Sequence, residues 1–173
     1  MLTLPWGTKL KTGESAIILG KVGTGKTRLA IRLLVEATVA VDVHSRENNH
    51  DHFVQCYKEA RAVAGGSANG ISYRGHSIPL TPGNLLVADV TTVKEALAVN
   101  TLTKRANCTL LTCAQIDRLG RVLGGLERIV EEFDYVYTIQ VNGVVVDSKS
   151  EFSTGTSIAV AKWEPSTMKL ELW

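Results

Sequence analysis

The residues with the most specific chemistry are Gly20, Lys21, Val22, Gly23, Thr24, Gly25, Lys26 and Thr27, which satisfy the spacing G-x-x-x-x-G-K-T. That spacing suits a phosphate group. Wrapping a phosphate in backbone N–H groups needs glycines that reach positive φ and let the ligand approach closely. A loop that opens directly into a helix adds the partial positive charge of the helix N-terminus. Lys26 is then placed to reach β- and γ-phosphates, and the Thr27 hydroxyl to ligate Mg²⁺. Arg28, next on the helix, completes the expected nucleotide-binding set. A second carboxylate-bearing strand has to hold the hydrated cation, and Asp89, closing the apolar run "LLVAD", is of the right type and place.

The surrounding pattern supplies the elements such a loop requires. An apolar run at residues 15–19 reads as a buried strand, and "KTRLAIRLLVEA" carries an apolar stripe at helical spacing. Further along, "TVAVDVH" reads as a strand, residues 50–65 as a helix stopped by Gly65, and residues 65–83 as a long Gly/Ser/Pro connection. Strand, helix and strand follow at residues 84–90, 92–106 and 108–115, and a short helix at 126–132. Residues 135–148 read as a hairpin whose Asn142-Gly143 fits a two-residue type I′ turn, and two more strands close the chain. Alternation of strands and helices implies right-handed crossovers and a parallel sheet, extended at one edge by antiparallel hairpins.

Bulk composition narrows the classes. The 173 residues fit one domain of ordinary size, with 45% apolar and 21% charged residues. At a net charge of +2, a nucleic-acid partner has to be held by a local basic patch. No run is long and apolar enough to span a membrane. The first residues carry no apolar signal core, and Cys56, Cys108 and Cys113 lack CxxC spacing, so reduced thiols and a cytoplasmic location are expected.

Four stretches resemble the RecA-like ATPases, the group of recombinases, ring-shaped replicative helicases and packaging motors of double-stranded-RNA phages. "TGESAIILGKVGTGKT" resembles their opening, and "LLVADV" their Walker B strand without a following glutamate. "TLLTCAQ" resembles the strand that ends in a polar sensor, which falls on Gln115. "GGLERIVEEFDYVYTIQ" resembles the segment before their next strand, with Asp134 at the matching aspartate. The resemblance covers roughly residues 12–173 and implies a three-layer RecA-like core; the chain reads as one such domain over residues 1–173, with the apolar residues of 1–12 as a strap that packs on a neighbouring subunit or in the chain's own core. It implies ATP and Mg²⁺ as ligands and a homo-oligomeric ring or filament.

The departures bear on catalysis. Where the family carries its catalytic glutamate, this chain has "VAVDVHSRE". Glu47 is the acidic residue a loop can swing toward the γ-phosphate, and Asp42 and His44 are the alternatives. Lys162 in "AVAKWEP" falls where the family's rings supply a cation to the neighbouring subunit's γ-phosphate, with Arg118, Arg121 and Arg128 as other candidates. Arg118 and Arg121 lie on the glycine-punctuated loop "IDRLGRVLGG", which matches a strand-contacting loop; Arg74 in "SYRGHS" is a second candidate contact for single-stranded DNA or RNA. Two functional readings follow: an oligomeric ATP-hydrolysing motor on single-stranded nucleic acid, or a RecA-like protein whose nucleotide state governs partner binding with weak or no hydrolysis.

Overall fold

The computed structural model describes residues 2–46, 49–65, 70–116 and 126–173. In chain order the elements are β1 (Leu2–Thr3), β2 (Lys9–Leu10), β3 (Ser15–Gly20), α1 (Lys26–Leu34), β4 (Val41–Ser45), α2 (His50–Ala64), β5 (Ile71–Gly75) and β6 (Leu85–Asp89). They continue with α3 (Val93–Arg105), β7 (Thr109–Gln115), α4 (Leu126–Glu132), β8 (Tyr135–Ile139), β9 (Val144–Asp147), α5 (Ser148–Thr154), β10 (Ile158–Glu164) and β11 (Lys169–Leu172).

The main sheet has the order β11-β10-β9-β8-β3-β7-β6-β4-β5. From β8 to β5 all neighbours run parallel, and β9, β10 and β11 add antiparallel. β3 lies at the centre and is buried at every position, because both its faces are covered. The pleat sends Ala16 and Ile18 into a core cluster with α1 and α2. Ile17 and Leu19 go into a second cluster with α3, Ile129 and Phe133. Helices on both faces of one sheet make three layers, the expected α/β architecture.

Local chemistry sets the helix ends. The Asn49 side chain accepts from the His52 N–H at the start of α2, and Gly65 closes that helix at φ 63°. Thr92 caps α3, accepting from the Glu95 N–H at 3.1 Å while its hydroxyl donates to the Glu95 carboxylate at 2.9 Å.

Several expectations are corrected. The connection at 65–83 contains β5, which extends the sheet edge in register with β4, Val41 opposite Ile71 and Val43 opposite Tyr73. Tyr73 stacks on Phe53 of α2 at 5.3 Å, a contact that stabilises a strand too short to show in a glycine-rich stretch. The last third is not made of strands alone: α5 joins β9 to β10, capped by Asp147 accepting from the Ser150 N–H at 3.0 Å. The Asn142-Gly143 turn is not type I′, which needs positive φ at two residues. Only Gly143, at 86°, has it, so the connection spans residues 140–143 with a left-handed glycine at its end. For the N-terminal strap, where both packings were open, the contacts within the chain are these. Leu2, Leu4 and Leu10 are buried in the α1–α2 core, and Trp6 meets Tyr137 edge-on at 5.0 Å.

Candidate functional site

The glycine loop runs from the end of β3 to the start of α1. Gly23 and Gly25 sit at φ 81° and 77°, a left-handed region in which a side chain is strained. Gly25 is the N-cap of α1, has no side-chain cap, and the first turn of the helix holds no acidic residue. The amide donors of this helix end are therefore left for an anion, with no carboxylate of the helix's own first turn competing for them. Around the loop, the Lys21 carbonyl accepts from Thr24 Oγ1 at 2.8 Å and from Lys26 Nζ at 3.0 Å. A Cβ at Gly20 would stand 2.5 Å from Thr24 Oγ1, so this corner has room only for glycine. Burial holds the Lys26 ammonium below its ordinary pKa, against the opposing influence of Cys113 and Asp89.

Asp89 closes β6. One strand, β7, lies between β6 and the loop-bearing β3, and the register sets Asp89 beside Cys113 and Gln115 beside Gly20. Across that gap the Thr27 hydroxyl donates to Asp89 Oδ1 at 2.9 Å. A hydroxyl and a carboxylate converging at the mouth of an anion cradle are hard oxygen donors, which fit Mg²⁺. The Cys113 thiol also donates weakly to Asp89 Oδ1, at 3.6 Å, and burial raises its pKa.

Other singled-out residues fall as follows. Gln115 ends β7 with an exposed side chain, its N–H donating to the Thr91 carbonyl at 2.8 Å. Lys162 is exposed on β10 and pairs across strands with Glu171. It lines a cleft of about 450 Å³ that opens beside Gly23 and Thr24, between the β8–β9 turn and the β10–β11 hairpin. The Arg28 side chain is held away from the phosphate cradle: Nε donates to the Pro165 carbonyl at 3.0 Å, Nη1 contacts Cys56 Sγ, and Nη2 pairs with Glu59. Glu47, Arg118 and Arg121 lie outside the described residues. Asp134 accepts from the Ser15 N–H at 2.8 Å and pairs with Lys104, anchoring the start of β3, the strand end remote from the loop.

Of the alternative bases, His44 is buried beside the Asp89 strand, and its Nδ1–H donates to the Ser77 carbonyl at 3.1 Å. Asp42 sits three residues before the register partner of Asp89, roughly 10 Å along the strand. Its buried carboxylate accepts from Arg74 Nε at 3.0 Å and Asn84 Nδ2 at 3.2 Å. Asp42 is therefore a structural anion, and Arg74, read as a strand contact, is its half-exposed partner. An Asp42→Ala protein is expected to lose about 2 kcal/mol of unfolding free energy, below the range for a fully buried pair because Arg74 regains water. Its nucleotide affinity should stay unchanged, as thermal unfolding and titration calorimetry would show.

Pattern reasoning missed two neighbours of the loop, Trp163 and Pro165. A Cβ on Gly25 would lie 2.7 Å from Pro165 Cγ and 3.0 Å from Trp163 Nε1. The start of the β10–β11 turn is thus seated on the phosphate loop. No local signal announces it, because the contact joins residues more than a hundred positions apart.

A central parallel strand ending in a glycine loop, a carboxylate strand one position removed, and an edge of antiparallel strands define a RecA-like α/β fold of the P-loop type. No family model matches the sequence, and no curated protein matches it. Among solved structures the chain is similar to the crystal structure of the flagellar accessory protein FlaH from Methanocaldococcus jannaschii, with a TM-score of 0.61 and 13% sequence identity, over 97% of this chain and 93% of that one. At that identity the likeness is one of fold. Among the described residues, no helix is long and apolar enough to cross a membrane.

Proposed function

We propose that the chain binds ATP with Mg²⁺ at the residue 20–27 loop and hydrolyses it, as an oligomeric RecA-like ATPase acting on single-stranded nucleic acid. The observation that carries the nucleotide part is the α1 N-terminus: two left-handed glycines, no capping side chain, no acidic residue, and Thr27 meeting Asp89 at its rim. The amides of residues 23–27 would hold the phosphates, with Lys26 turning from the Lys21 carbonyl to the β- and γ-oxygens. Thr27 Oγ1 would ligate Mg²⁺ directly and Asp89 through water. The cation, when bound, neutralises charge on the phosphates. Gln115, level with Gly20, would sense the γ-phosphate. Glu47, following β4, is the residue we assign to orient the attacking water. The cleft beside Gly23 and Thr24 has room for the nucleoside, with Lys162 at its wall.

The second reading, nucleotide-governed binding of a protein partner, is favoured by two observations. Arg74 is engaged by Asp42, which removes one of the three arginines assigned to nucleic acid. The similar structure is that of a flagellar accessory protein.

The test is ATP binding by calorimetry with Mg²⁺ and with EDTA, followed by turnover with and without single-stranded DNA or RNA at low salt. Binding at least about 10-fold tighter with Mg²⁺ is expected. Turnover stimulated by a single strand supports the motor; ATP binding without stimulation supports the second reading. A protein that binds no nucleotide overturns both.

A further inference from the structure

The Trp163 indole is 2% exposed, yet its Nε1–H is buried with no hydrogen-bond partner among the described residues. A buried donor without an acceptor costs free energy, and such a group is retained where another state of the molecule satisfies it. The donor nitrogen lies against the glycine loop, 3.0 Å from where a Gly25 Cβ would stand. Its own strand cannot shift easily toward a different acceptor. The Trp163 N–H donates to the Gly143 carbonyl at 2.8 Å, and Arg28 Nε fixes the Pro165 carbonyl two residues on.

The loop, by contrast, uses one of its amides internally: the Thr24 N–H donates to the Lys21 carbonyl at 3.3 Å. Here its lysine and threonine both turn inward onto the single Lys21 carbonyl. Wrapping a phosphate requires the amides of Thr24 and Gly25 to face the ligand. In a trans peptide the N–H and the preceding C=O point in opposite directions. An inward Gly25 N–H therefore carries an outward Thr24 C=O, which would then be the acceptor for a donor packed against Gly25. The Gly25 carbonyl is not available for this role, since it accepts from the Leu29 N–H at 2.9 Å as the first bond of α1.

We infer that Trp163 is a positioning residue for the nucleotide-bound loop: its indole N–H is the donor reserved for the Thr24 carbonyl once the loop closes on a phosphate. The inference rests on the nucleotide-binding reading above. It goes beyond that reading by making the β10–β11 hairpin part of the binding equilibrium. The hydrogen bond exists only in the bound state, so it adds to affinity without adding to the stability of the free protein. It also gives the hairpin, whose β10 carries Lys162 and Glu164 on either side of Trp163, a direct link to nucleotide state.

The experiment uses the full chain labelled with ¹⁵N and follows the indole N–H signals of its three tryptophans while ATP or a non-hydrolysable analogue is added with Mg²⁺. Trp6→Phe and Trp173→Phe proteins assign their own signals, which leaves Trp163 identified without altering it. The expected result is a downfield move of the Trp163 indole proton on saturation, with nucleotide affinity about 2- to 10-fold weaker in Trp163→Phe. An unmoved Trp163 signal in a protein whose loop amides do shift overturns the inference and leaves the nucleotide site standing. If no signal and no calorimetric heat responds to nucleotide, the underlying site reading fails, and this inference with it.

Discussion

A Lys26→Ala protein is expected to fold at least as stably as its parent and to bind ATP with Mg²⁺ about 100-fold more weakly. The two halves of that expectation have one cause. Lys26 occupies the first position of α1, where the helix dipole is unfavourable to a cation, and burial already lowers its pKa. Its ammonium meets one neutral partner, the Lys21 carbonyl at 3.0 Å. Among the described residues, the free protein thus holds a partly desolvated charge without a bonded counter-ion, while alanine is the best helix former. Removing the ammonium should leave unfolding free energy unchanged or raise it by about 0.5 kcal/mol. Bound phosphates reverse the balance. One ammonium making two charge-assisted hydrogen bonds, each worth about 1.5 kcal/mol or more, accounts for roughly 100-fold in affinity. Calorimetric titration and thermal unfolding check the two halves separately. Wild-type affinity in Lys26→Ala would remove the phosphate assignment, and a large loss of stability would make the lysine a structural residue.

How far the sequence could be read depended on how local the determining physics is. The phosphate loop is legible because its requirements, glycine at positive φ and a helix directly after a buried strand, lie within a dozen residues. Asp89 and Gln115 are legible because each ends an apolar run, and parallel strands present their C-terminal ends on one edge. The failures involve partners far away in sequence. β5 depends on Tyr73 stacking against Phe53, and Asp42 is neutralised as a candidate base by Arg74, 32 residues on. The N-terminal hairpin carries apolar residues that suit a neighbour as well as its own core, and its edge-on contact of Trp6 with Tyr137 joins residues far apart in sequence. Arg28 is the sharpest case. Its place after the loop puts it in the expected nucleotide-binding set, and nothing local announces that its guanidinium donates to Pro165, 137 residues away. Asn142-Gly143 failed differently: the dipeptide permits a type I′ turn, but the strands adopt a longer connection with one left-handed glycine.

The long-range contact at Pro165 yields the largest expected stability effect. Gly25→Ala is expected to cost about 3 kcal/mol and to lower the melting temperature by roughly 6–12 °C for a chain of this size. Part of the cost is conformational, since a Cβ at φ 77° is strained by about 1 kcal/mol. The rest is steric. The new methyl would lie 2.7 Å and 2.8 Å from ring carbons of Pro165 and 3.0 Å from Trp163 Nε1. Neither ring can rotate away as the end of a flexible chain does. The Pro165 carbonyl is also tied to Arg28, which follows the loop itself. Either the β10–β11 turn lifts or the loop shifts, and a shifted loop no longer presents its amides to a phosphate, so nucleotide binding should be lost as well. Gly23→Ala is the internal reference. Gly23 has nearly the same φ, 81°, but among the described residues nothing lies within 4 Å of its Cβ position. Gly23→Ala should therefore pay only the conformational part, about 1 kcal/mol. The difference between the two variants, about 2 kcal/mol in unfolding free energy, measures the seating of the hairpin on the loop. Equal losses in the two proteins would mean that the turn does not rest there, and the link from nucleotide to β10–β11 would lose its mechanical basis.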